Sequence, residues 1–81
     1  MKTYGVKMIY SWGEEEPVVE CGTRKEAWEK AEKLAFREAE IASMEHDCKI
    51  CLFIHNQPNE QSILLHYTYD DTYCRYVICE V

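Results

Sequence analysis

The sequence predicts an α+β domain in the order ββαβββ: an N-terminal β-hairpin, one long helix, and a C-terminal three-stranded meander, with the helix packed on one face of an antiparallel sheet. Three observations carry this. Residues 23–43 hold apolar side chains at helical spacing behind a capping signal. Tyr4, Val6, Met8, Tyr10 and Trp12 alternate with Gly5, Lys7 and Ser11 at the period of a half-buried strand. Past the helix, three stretches of alternating hydrophobicity are separated by short polar turns.

The first strand, Tyr4 to Trp12, leads into the acidic turn Gly13-Glu14-Glu15-Glu16-Pro17. Val18 to Cys21 is the expected return strand, with Pro17 tolerated just ahead of it. Thr23 is the expected N-cap and Glu26 completes a capping box. Ala27, Ala31, Leu34, Ala35, Ile41 and Ala42 gather on one helix face, with Trp28 at its border. Small residues there let a helix lie close on a sheet. Glu38 falls inside this stripe and is expected to reach out to solvent at its end. Phe36 falls on the opposite, charged face, as a lone exposed aromatic or an anchor for a partner.

Asp47 to His55 forms the third strand, with Cys48, Ile50, Leu52 and Ile54 facing the core. A four-residue loop at Gln57 to Glu60 sets Ile54 opposite Ile63, Leu52 opposite Leu65 and Ile50 opposite Tyr67. A two-residue loop at Asp70-Asp71 sets Tyr67 opposite Cys74, Leu65 opposite Tyr76 and Ile63 opposite Ile78, although no glycine supplies the positive φ such a loop favours. The expected core rows are Ile54-Ile63-Ile78, Leu52-Leu65-Tyr76 and Ile50-Tyr67-Cys74. The same register sends His55-Ser62-Cys79, Phe53-Leu64-Val77, Cys51-His66-Arg75 and Lys49-Thr68-Tyr73 to the other face, with Lys7 and Ile9 if the first strand joins the sheet.

Eighty-one residues make one small domain, and 47% hydrophobic content suffices for one core. The net charge of −6 opposes general binding to nucleic acid through phosphates. Five cysteines, an odd number, without a secretory signal point to reduced thiols in a cytoplasm, and no apolar run approaches membrane-spanning length.

Motifs that would fix a chemistry are missing. Cys48 and Cys51 have CxxC spacing, but an odd separation within a strand sends the two sulfurs to opposite faces, so neither a zinc site nor a disulfide between them is expected. Cys51 and His66 as cross-strand neighbours begin a nucleophilic pair, yet an orienting carboxylate, an oxyanion hole and a cleft are all lacking. The acidic turns lack the patterned oxygen spacing of a calcium loop.

The expected function is therefore non-enzymatic and without cofactor or metal: a cytoplasmic accessory domain that binds a protein partner, or itself as a homodimer, through the open sheet face. Phe53, Leu64 and Val77 would form its apolar strip, with Lys49, His66, Tyr73 and Arg75 around it and Phe36 as a separate anchor. An acidic bacterial, phage or mobile-element inhibitor that imitates nucleic acid is one specific form of this. The alternatives are a single-strand nucleic-acid binder stacking bases on the face's aromatics, and a Cys-His enzyme.

Overall fold

The computed structural model describes residues 2–47 and 49–81. Five strands form one antiparallel sheet, and one helix packs on it. The strands are β1 (Tyr4–Tyr10), β2 (Val19–Cys21), β3 (Ile50–Gln57), β4 (Glu60–Tyr67) and β5 (Thr72–Glu80), and the helix α1 (Arg24–His46) lies between β2 and β3 in the chain. The order across the sheet is β2-β1-β5-β4-β3. The first hairpin thus joins the meander through β1 and β5, so the chain's first and last strands close the middle of the sheet. That placement was not legible in the sequence.

The N-cap is as expected: Thr23 is extended, and its hydroxyl accepts from the Glu26 amide at 3.1 Å. The Glu26 carboxylate returns to the amide of Gly22 at 3.4 Å, one residue before the cap itself. The helix runs three residues beyond Ser43 and stops at Asp47, which adopts the left-handed conformation at φ 47°. Asp is among the few L-residues that visit this region readily, so it serves where glycine is more usual.

Ala27, Ala31, Ala35 and Ala42 are buried, and their short side chains let α1 sit close over Val6, Ile63, Leu65, Tyr67, Cys74 and Tyr76. Ile41, expected in the same stripe, is exposed, and Leu34 is half-buried. The buried face is thus narrower than the sequence stripe.

The β3–β4 register agrees with expectation: Ile50 opposes Tyr67, Leu52 opposes Leu65 and Ile54 opposes Ile63. The pairing continues through Gln57 opposite Glu60, so only Pro58 and Asn59 are left in the turn. Neither has positive φ, and proline's fixed φ suits the first central position of an ordinary turn.

The β4–β5 register differs by two residues from expectation. Tyr67 opposes Thr72, Leu65 opposes Cys74 and Ile63 opposes Tyr76. The loop therefore has four residues, 68–71, instead of the two at Asp70-Asp71. Three features hold it: the Asp71 amide donates to the Tyr67 carbonyl at 2.9 Å, Asp71 takes φ 61°, and the Asp70 carboxylate accepts from the Thr72 amide and hydroxyl. A single positive φ on Asp is less costly than the two that a type I′ turn would demand.

The core rows, extended into β1, are accordingly Ile54-Ile63-Tyr76-Met8 and Leu52-Leu65-Cys74-Tyr10, with Ile50-Tyr67-Thr72 at the end. Ile78 pairs with Val6 instead of Ile63. A shift of two preserves which face each side chain occupies, so the two-sided reading of the sheet survives the corrected register. Ile54 nonetheless leaves the core. It is 53% exposed, because β3 is an edge strand and α1 covers the sheet centre instead. The expected core position of Cys48 and its parity with Cys51 lie outside the described residues.

Candidate functional site

Two places hold the side chains with functional potential: the polar contact of Glu38 beneath α1 and the sheet face on the opposite side. Under α1, Glu38 stays half-buried and turns toward β4. Its Oε1 accepts a hydrogen bond from the Tyr67 hydroxyl at 3.0 Å, which supplies the partner a half-buried carboxylate needs. Burial, and next the Glu38 charge, hold the Tyr67 phenol neutral far above its ordinary range, and burial does the same for Tyr76. Burial raises the Cys74 thiol from 9.0 to about 11 and the Tyr10 phenol from 10.0 to about 12. These are proton-retaining groups, unsuited to nucleophilic work near neutrality.

Their shifts carry a pH prediction. Each folded-state pKa lies above its unfolded value, so the stability they contribute is fully present below about pH 9. It is lost as pH rises through the folded values, because the unfolded chain releases these protons first. We expect the denaturant midpoint to hold constant from neutrality to about pH 9 and then fall. The part of the tyrosinate absorbance that comes from Tyr10, Tyr67 and Tyr76 should rise only with loss of circular dichroism. Independent titration of all the tyrosines at their ordinary value, with the fold retained, would contradict this.

A chain of rings borders this region: Tyr10 stacks on Trp12 at 4.7 Å, Trp12 lies 6.4 Å from Tyr67, Tyr67 meets Tyr69 edge-on at 5.8 Å, and Tyr69 stacks on His46 at 3.9 Å. Sequence reasoning missed this cluster. Its signal was the density of aromatics at 10, 12, 67 and 69, which the return of β1 beside β5 brings to one end of the sheet.

On the opposite face, parity presents Phe53, Leu64, Arg75 and Ile9 as one row across β3, β4, β5 and β1. Arg75 thus takes the place expected for Val77, which lies one row along, between Ser62 and Lys7. Phe53-Leu64-Val77 is a bent patch instead of a straight strip. Next come Cys51, His66 and Tyr73 as a third row, so Tyr73 neighbours His66 and not Thr68. Cys79 pairs with Gly5 instead of joining His55 and Ser62. Phe53 is 57% exposed and Tyr73 and Arg75 are exposed, whereas Leu64, His66 and Val77 are half-buried. Lys49 is exposed just ahead of β3, where its carbonyl accepts from the Thr68 hydroxyl. Phe36 is 47% exposed on the far side of α1 and takes no part in this surface.

The face is covered at one corner. Gly5 is buried there, and a Cβ on it would lie 2.7 Å from Val18 Cγ1, 2.8 Å from the Val19 carbonyl and 3.0 Å from Val81 Cγ2. Elsewhere the charges are mixed. The cations Lys7, Lys49 and Arg75 and the imidazoles of His55 and His66 share the surface with Glu20 and Glu60, while Glu15 reaches Lys7 at 3.7 Å from the β1–β2 turn and Glu60 reaches His55 at 3.7 Å.

Cys51 and His66 are cross-strand partners as expected, and a carboxylate the sequence reading lacked is present: Asp71 Oδ1 lies 2.7 Å from His66 Nε2. The positive φ at Asp71 turns it back toward the end of β4. An orienting group alone does not make a catalytic site. Such a site also needs an enclosed position for a substrate and backbone donors aimed at a developing charge. Among the described residues, no three His, Cys, Asp or Glu side chains converge as a metal site, and Cys21, Cys51, Cys74 and Cys79 are free thiols. No helix is long and apolar enough to cross a membrane. The chain matches no protein-family model, no curated protein and no solved structure.

Proposed function

We propose that this chain is a non-enzymatic binding module that docks on a protein partner through the open face of its sheet. The observation that carries this reading is the exposed Phe53 at the end of the row Phe53-Leu64-Arg75-Ile9, on the side away from α1. An aromatic beside aliphatics, rimmed by Arg75, Tyr73, His66 and Lys49, has the composition of an interface centre and its rim. Lys49 and Arg75 in that rim favour a partner that carries carboxylates beside its own apolar patch.

The test is affinity capture with the wild type, followed by purification and titration of the captured protein against Phe53→Asp and Arg75→Glu. Both side chains are exposed, so both variants should fold, and both should weaken binding at least tenfold, about 1.4 kcal/mol. Unchanged affinity in both variants would contradict the reading.

A second reading has its own support, since Phe53 and Tyr73 share the face with five basic or imidazole groups. A labelled single-stranded oligonucleotide distinguishes it. Tight binding that falls steeply with salt would move the assignment to a single-strand binder.

A further inference from the structure

We propose that β3 is a self-association edge, and that two copies of this chain join β3 to β3 as antiparallel neighbours in one continuous ten-stranded sheet. This surface is the rim of the sheet; it shares Phe53 with the open face, and Ile54 and the β3 backbone are its own.

The two edges of the sheet are built differently. β2 has three residues, carries Glu20 and follows Pro17, all devices that discourage a further strand. β3 has eight residues, Ile-Cys-Leu-Phe-Ile-His-Asn-Gln, with no Asp, Glu, Lys, Arg or Pro among them. Among the described residues β4 is its one neighbour in the sheet, so the backbone N–H and C=O groups of alternate residues along that length face outward from the edge. Apolar side chains are exposed on both of its faces at the same place, Phe53 on the open side and Ile54 on the helix side. A binding surface confined to one face of the sheet explains Phe53 and leaves Ile54 unaccounted for. A strand added along the edge shelters both.

The occupant is a second copy because the strand is complementary to itself. A two-fold axis through Phe53 pairs Phe53 with Phe53 of the second copy, Leu52 with Ile54, and Cys51 with His55. In the same register Lys49 of one copy lies in the row of Gln57 and Glu60 of the other, two strands away and on the same face. A lysine stem can span that gap, so each end of the interface sets a cation near a carboxylate. Two chains of net charge −6 thereby meet along an uncharged strand with attractive ends. Odd residues pair with odd residues, so both helices lie on one side and both open faces on the other. With β2 closed to extension, the pairing ends at a dimer instead of a fibre.

Sedimentation equilibrium of the wild type and Ile54→Lys tests this. The wild type should reach twice the chain mass with rising concentration, and the variant should stay at the chain mass with its circular dichroism unchanged. Arg75→Glu, on β5 away from the edge, should still dimerise, which separates failure here from failure of the open-face reading. A wild type monomeric at millimolar concentration, or a dimer that survives Ile54→Lys, overturns the proposal. Amide exchange of the wild type needs no variant to fold. Outward-pointing amides of Ile50–Gln57 should exchange more slowly as concentration rises, and concentration-independent exchange there overturns it equally.

Discussion

Leu65→Ala is expected to cost about 2–5 kcal/mol, a large share of the roughly 5–15 kcal/mol that holds a small domain folded. Leu65 is fully buried between Leu52 and Cys74 in the sheet, beneath the alanine face of α1. Truncation removes the transfer free energy of the lost methylenes and leaves a cavity. Alanines cannot swing in to fill that space, and the paired strands on either side hold their spacing. Urea denaturation checks the loss as a fall in midpoint at unchanged slope. A change below about 0.5 kcal/mol, the range typical of surface positions, would show that Leu65 is not a core residue.

Gly5→Val should cost about 1–3 kcal/mol through overpacking, even though valine is the better strand former. The Val19 carbonyl, 2.8 Å from the position of a new Cβ, belongs to the β2 backbone paired against Gly5 and cannot rotate aside as a side chain would. Relief requires β2 to lift away from β1. That strand has only three residues of pairing to hold it. The expected signature is faster amide exchange in Val19–Cys21 together with the lower midpoint. A valine at position 5 that leaves both unchanged would contradict the close approach of Val18, Val19 and Val81.

The outline of the fold was legible because hydrophobic period and capping chemistry are local signals. Thr23 and Glu26 announced the start of α1, and alternation in β1, β3, β4 and β5 assigned each side chain to a face. The β4–β5 register was not legible to within two residues. A period of two cannot distinguish registers that differ by two, so the decision fell to the turn, where Asp71 takes the left-handed conformation without a glycine to signal it. The open face was legible in membership and not in arrangement: Tyr73, Arg75 and Val77 each lie one row along from expectation, while Phe53, Leu64, His66 and Tyr73 share the face as expected. Exposure of Ile54 depends on β3 being an edge strand and on where α1 crosses the sheet, and strand periodicity carries neither. The contact of Asp71 with His66 and the ring cluster at Trp12 likewise arise from turns and from β1 pairing with β5, at long range in sequence.

The central claim is that one side of this sheet builds the core and the other is a surface for binding. Denaturation of Phe53→Asp alongside Leu65→Ala measures it most directly. The account predicts that Phe53→Asp, compared with the wild type at a concentration where both are monomeric, keeps the wild-type circular dichroism and loses no more than about 1 kcal/mol, the span of strand propensity at an exposed position. A loss as large as that of Leu65→Ala would make Phe53 a core residue and contradict the two-sided sheet on which the functional reading rests.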